Sequence, residues 1–326
     1  MQYRESQFSL NTRRCNKVGG SRLIFILVQI YSLVKLSTFI RFLDLIRQQG
    51  KFRSKNGFDF NRDRLERLVP LRRYCPVDDH SEHGIKTRIV KNPYLRPWVA
   101  DAAYIKQAIK PKGGHLTVVP LGICYIRIPR AASTSISYSM LGANFPELKN
   151  DSPSVEQINA LTDVHLRRRL TDNEKQMVFF TAVRNPFERI VSVYREFFEQ
   201  KRGHFIYEDY LFGILRRNLS FKEFAERVKL IPDVLKDQHL KPQHHFLRFY
   251  EQNKLAVRIL KLEQPEILKD FLHESGLNFD TLNQSDTPYD YRQYYDPDTV
   301  RAVKSIYAGD VTRFGYEHIA AELLYQ

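Results

Sequence analysis

A nearly unbroken apolar run, Met177 to Val183, followed at once by Arg184-Asn185-Pro186, constrains this chain more than any other stretch. A strand with no polar face must be covered on both sides, the condition of a central strand in a parallel sheet. Asn185 is a strong helix N-cap and Pro186 a good first helical residue. Phe187, Ile190, Val191, Tyr194, Phe197 and Phe198 then recur at helical spacing and predict a buried stripe. Glu188, Ser192, Arg195 and Glu199 fall on a different, polar face. Open α/β sheets bind ligands at their carboxyl edges. Arg184 stands at that edge and Ser192 about two turns into the helix, so both can reach one anion. Alone, the segment reads equally well as a surface arginine with a solvated serine.

A second strand-to-helix junction lies upstream. Ile123 to Ile128 reads as a short buried strand, ended by Pro129, and Arg130-Ala131-Ala132-Ser133-Thr134-Ser135-Ile136 leads into a helix carrying Tyr138, Met140 and Leu141. A loop of small residues at a helix start offers unpaired backbone N–H groups and the positive helix end to an anion. The hydroxyls of Ser133, Thr134 and Ser135 add donors, and Arg130 a fixed charge. The loop is not a Walker A sequence, because GxxxxGK is absent. The plainer reading is an ordinary helix start capped by Ser133 or Thr134. Together the junctions predict an α/β, P-loop-like three-layer domain with a central, mostly parallel sheet over residues 116–326.

The 326 residues carry 51 Lys and Arg against 37 Asp and Glu, a formal charge of +14. Residues 1–75 hold 16 of those basic residues and only 5 of the acidic ones. A nucleic-acid surface needs its cations on the folded domain, so the excess argues against nucleic acid as a partner and for a membrane-proximal segment. Leu23 to Val34 is almost wholly apolar, and Lys35 interrupts its continuation through Leu36, Phe39 and Ile40. Residues 1–49 thus read as a basic, membrane-associating segment, with contact through 23–46. A single signal-anchor helix is the leading version and an amphipathic helix the alternative. Residues 50–115, rich in Arg, Asp, Pro and Gly, read as a stem. Cys15, Cys75 and Cys124 make no metal-binding spacing. Cys124 reads as a buried small hydrophobe, with a Cys75–Cys124 disulfide left open.

The segments "IRIPRAASTSI" and "FFTAVRNPFERIVSVYREFF" resemble the two nucleotide-binding motifs of the sulfotransferases, nearest to the Golgi carbohydrate branch and its bacterial relatives. Two further stretches are similar to that branch. One is "DQHLKPQHHFL" with "ILKLEQPEILKDFLHESGL", where His239, Pro242, Gln243 and Glu263 hold recurrent positions. The other is "YRQYYDPDTVRAVKSIYAGDVTRFGYE". The resemblance runs from about residue 117 to 318. It implies transfer of a sulfuryl group from 3′-phosphoadenosine 5′-phosphosulfate (PAPS) to a hydroxyl of a glycan, without a metal, by a single-pass type II Golgi membrane protein if the chain is eukaryotic and otherwise by a cytoplasmic or membrane-peripheral one. By position, Arg130, Ala131, Ala132, Ser133, Thr134 and Ser135 would hold the 5′-phosphosulfate, and Arg184 and Ser192 the 3′-phosphate. The family usually has Lys where Arg130 stands, and a glycine where Ser133 stands. Arginine stabilises negative charge but is a poor acid, so a catalytically weak relative that keeps a nucleotide or sulfated-glycan site is the alternative. A P-loop kinase is disfavoured by the missing GxxxxGK.

Sulfuryl transfer, like phosphoryl transfer, asks for positioning, charge stabilisation and removal of the acceptor proton. His165, between the motifs, is the first choice of base, and His239 the second. His244 and His245 read as exposed neighbours, and Arg167-Arg168-Arg169 as a solvated face. Tyr289 and Arg292 are candidate nucleotide or acceptor contacts.

Overall fold

The computed structural model describes residues 113–199, 214–215, 218–279, 282 and 289–325. The proposed membrane segment 23–46, almost all of the stem, and Cys15 and Cys75 lie outside the described residues.

Four strands form one sheet in the order β1 (His115–Val118), β2 (Ile123–Ile126), β3 (Val178–Val183), β4 (Val257–Lys261). β2, β3 and β4 run parallel, and β1 is an antiparallel edge. The fold is thus α/β with a mostly parallel sheet. β2 is buried along its whole length and β3 everywhere but Val178, as their apolar sequences require. The sequence does not predict β1: its first residue, His115, falls at the end of the expected stem. It joins β2 through a turn of 3-10 helix, Val119–Leu121, closed by Gly122 at φ 63°. That left-handed conformation is nearly free only for glycine.

The helices follow their capping signals. α1 (Ser133–Asn144) leaves β2 through the small-residue loop. α2 (Val155–His165) begins in a capping box of Ser154 and Gln157. α3 (Pro186–Tyr194) starts where Asn185 accepts a hydrogen bond from the Phe187 N–H at 3.0 Å. Its stripe then passes into a π-helical turn, Arg195–Glu199, a local widening common near functional sites. α4 (Phe221–Leu230) has a second capping box, Ser220 with Glu223. α5 (Arg248–Gln252) precedes β4, and α6 (Pro265–Glu274) follows it. α7 (Pro297–Ile306), α8 (Ala308–Phe314) and α9 (Glu317–Leu324) end the chain.

Two hydrophobic clusters result. One joins the sheet to α1, α2, α5 and α6. The other joins α3 to α4, α7 and α9. Arg189 of α3 is buried to 1% and donates to the carbonyls of Pro129 (3.0 Å), Lys241 (3.0 Å) and Gln238 (3.1 Å). It ties the loop after β2 to the segment that carries His239. Cys124 is a buried free thiol beside Met177 and Thr117.

Candidate functional site

The loop between β2 and α1 places two non-glycine residues in the left-handed region, Arg130 at φ 69° and Ala132 at φ 52°. Such a residue costs about 1 kcal/mol or more. Ser133, which stands where the resembling family has glycine, is already helical, so its side chain meets no backbone penalty. Ala132 occupies the N-cap position, no side chain caps α1, and the first turn holds no acidic residue. The expected capping by Ser133 or Thr134 is absent. The first N–H groups of α1 therefore keep their donors and the positive helix end.

The three hydroxyls of this turn differ. Ser135 donates to the Leu282 carbonyl at 3.1 Å and accepts from the Leu282 N–H at 2.8 Å. Thr134 donates to Asn159 at 3.4 Å, and Asn159 also accepts from Arg127 at 3.1 Å. Ser133 is buried to 8%, and no protein partner takes its hydroxyl among the described residues. Ala131 is fully buried under the loop.

The second motif meets the first directly. Arg130 donates to the Ser192 hydroxyl through Nη2 at 2.5 Å and Nε at 3.0 Å, and to the Ser192 carbonyl at 3.5 Å. Its Nη1 lies 3.7 Å from Glu196. Burial lowers the Arg130 pKa, Glu196 pushes it back up, and nearby Arg184 lowers it again. Arg184 donates to Glu188 at 2.6 Å and to the Tyr289 hydroxyl at 3.5 Å. Its Nε is buried with no partner among the described residues. An orphaned guanidinium donor and an uncapped helix start are each what an anion would satisfy. Tyr289 also lies under Arg195, whose guanidinium carbon sits 3.8 Å from the ring centre.

The two distal segments hold this corner in place. Gln243, fully buried, accepts from the Arg184 N–H at 2.9 Å and donates to the Arg184 carbonyl at 2.7 Å. Glu263 accepts from the Asn185 N–H at 2.5 Å and from the Tyr316 hydroxyl at 2.8 Å. Asp310 accepts from the backbone N–H groups of Gln243 (2.7 Å) and His244 (2.8 Å). Asn185 donates to the Tyr291 hydroxyl at 3.1 Å. Arg189 and Tyr291 were not singled out from the sequence, whereas Asp310 and Tyr316 belong to the Asp-x-x-x-Phe-Gly-Tyr ending of its C-terminal stretch. A polar residue inside an apolar helical stripe was the available signal for Arg189. The partners of the others lie far along the chain.

His239 stands near this corner. Its Nδ1 faces Asp237 Oδ2 at 3.2 Å, and its ring packs edge-on against Phe197, 5.1 Å between centres. Arg189 holds the carbonyls on either side of it, at Gln238 and Lys241. His165 goes elsewhere. It ends α2, packs against Phe145 with ring centres 5.1 Å apart, and lines a cavity of about 270 Å³ with Thr117, Asn144 and Arg167. Asn144 is the last residue of α1, so this cavity lies at the C-terminal end of α1, whereas the loop opens at its N-terminal end. Arg292 lies 3.7 Å from Asp290 and over the ring of Tyr291, the residue that bonds Asn185. His244 and His245 are not the exposed, diverging pair expected. They sit on a 3-10 turn, Gln243–Phe246, with ring centres 4.4 Å apart, and His244 Nδ1 lies 2.7 Å from Asp310. Among the described residues no group of His, Cys, Asp and Glu could hold a metal, and no helix is long and apolar enough to cross a membrane.

Residues 119–317 match the model of the sulfotransferase family. No curated protein and no solved structure gives a significant match.

Proposed function

The chain belongs to the sulfotransferase family, and from that premise we propose that it moves a sulfuryl group from PAPS to a hydroxyl of a carbohydrate. The observation that carries the reading is the convergence of an uncapped α1 with Arg130, Ser192 and the orphaned Nε of Arg184. The N–H groups of Ser133 to Ser135 and the Ser133 hydroxyl take the 5′-phosphosulfate. Arg184 and Ser192 take the 3′-phosphate, with Tyr289 as a further contact.

In the reaction the acceptor oxygen bonds to sulfur while the bond from sulfur to the bridging 5′-phosphate oxygen breaks. The leaving phosphate gains negative charge, which the α1 N-terminus stabilises. His239 takes the acceptor proton. Donation of its Nδ1–H to Asp237 leaves Nε2 as the basic nitrogen. His239 is preferred to His165 because it shares Arg189 with the loop, whereas His165 lies at the far end of α1. Support for a glycan acceptor and a Golgi setting comes from the sequence, through its likeness to the carbohydrate branch and the expected membrane contact of 23–46.

Calorimetric titration of the full chain with 3′-phosphoadenosine 5′-phosphate (PAP), the desulfated product, tests the donor site. The expected result is micromolar binding, weakened at least tenfold in Arg184→Ala. Absence of binding by the folded wild type would overturn the reading. Transfer from radiolabelled PAPS across a glycan panel then separates an active enzyme from a protein that binds without turnover.

A further inference from the structure

The placement of Arg130 bears on which end of the nucleotide it reads. By its position in the chain it belongs with the loop residues of the 5′-phosphosulfate. Its guanidinium instead lies on α3, making three contacts to Ser192 and one to Glu196. We propose that Arg130 is a specificity-determining ligand of the 3′-phosphate, through which the first motif selects nucleotides that carry one. This rests on the donor site proposed above.

Charge balance supports the assignment. A phosphate monoester carries nearly two negative charges near neutral pH. Arg184 is already paired with Glu188 at 2.6 Å, so that pair brings little net positive charge to Ser192. Arg130 is held less closely by its own carboxylate, at 3.7 Å, and burial on α3 strengthens whatever charge it adds there. The 5′ side is separately furnished by the uncapped start of α1.

Shape supports it as well. A guanidinium donates from several edges at once, while an ammonium is a point charge on a shorter stem. Nε and Nη2 of Arg130 hold Ser192, and Nη1 meets only Glu196 among the described residues. A phosphate seated at Ser192 can therefore take Nη1 while the serine contacts persist, and Glu196 keeps the fork turned towards that place when no anion is bound.

The test compares PAP with adenosine 5′-phosphate, which lacks the 3′-phosphate, by calorimetry on the full-length wild type, Arg130→Ala and Arg130→Lys. In the wild type PAP should bind about 100-fold more tightly than adenosine 5′-phosphate. Arg130→Ala should cut that ratio to about tenfold or less while changing adenosine 5′-phosphate affinity less than twofold. Arg130→Lys should fall between them and keeps the test open if the alanine variant does not fold. Equal weakening of both nucleotides in the variants would place Arg130 at the 5′ side and overturn the inference, leaving the donor site standing. Failure of the wild type to bind PAP would remove the donor site, and the inference with it.

Discussion

Ser133 and Ser135 are two residues apart in one helical turn, yet the structure gives them opposite work. Ser135 spends its hydroxyl on both backbone groups of Leu282. Ser135→Ala should therefore cost about 1 kcal/mol of stability and leave PAP affinity within twofold, read by thermal melts and titration. Ser133→Ala should do the reverse, losing several-fold in PAP affinity with little change in melting temperature. If Ser135→Ala instead weakens PAP as much as Ser133→Ala, the hydroxyl of Ser135 faces the ligand. At the same scale, His239→Ala should lower kcat by about 100-fold and leave PAP affinity intact. Retained activity would return the base role to another residue, and the same variant at His165 serves as the comparison.

At the scale of elements, the site depends on joints between segments distant in the chain. Gln243 completes both backbone groups of Arg184 at the end of β3. Gln243→Leu would bury an N–H and a carbonyl without partners, at a cost of about 2–4 kcal/mol, and should also weaken PAP because Arg184 loses its fixed backbone. A melting temperature unchanged from wild type would show that the joint is dispensable. The start of α8 makes a second joint. A Cβ at Gly309 would run into the His244 ring, which Asp310 holds at 2.7 Å. Gly309→Ala should therefore destabilise by about 1–3 kcal/mol, although alanine is the better helix former. A neutral or stabilising result would mean that His244 swings aside freely.

For the molecule as a whole, the pH dependence of stability should be set by two histidines and a buried glutamate. His115, fully buried in β1, has its pKa lowered by burial. A neutral ring suits its surroundings, with Nε2–H donating to Glu174 at 3.2 Å and Nδ1 accepting from Tyr250 at 3.1 Å. His245 is pushed down to about 4, first by burial and then by His244. For both, the unfolded chain binds the proton more readily. Stability is therefore complete above the unfolded value near 6.5 and falls as pH drops below it. Burial works against the charge of Glu174, but the Thr171 N–H and the hydroxyls of Thr117 and Thr171 hold it at about 2. Its contribution is present above about 4.5 and is lost below that. Melting temperature should decline from pH 7 to pH 5 and more steeply below pH 4.5. A flat profile from pH 7 to pH 5 would contradict the buried neutral histidines.

Local chemistry made much of this protein readable in advance. The apolar runs gave β2 and β3, Asn185-Pro186 gave the start of α3, and the recurring aromatics gave its buried face, because each is decided within a few residues of chain. β1 escaped because His115 is polar by type, and only Tyr250 and Glu174, 135 and 59 residues away, make it a core residue. The same limit applied to the histidines and to Arg130. Their sequence positions were equally suggestive, but long-range packing sent His165 to the C-terminal end of α1. It also laid Arg130 across onto Ser192, 62 residues away. The sequence by itself determined β2, β3, the start and buried face of α3, and the family of chemistry. Only the tertiary structure decided which side chains share a site, because that depends on contacts whose partners the chain brings together only once it is folded.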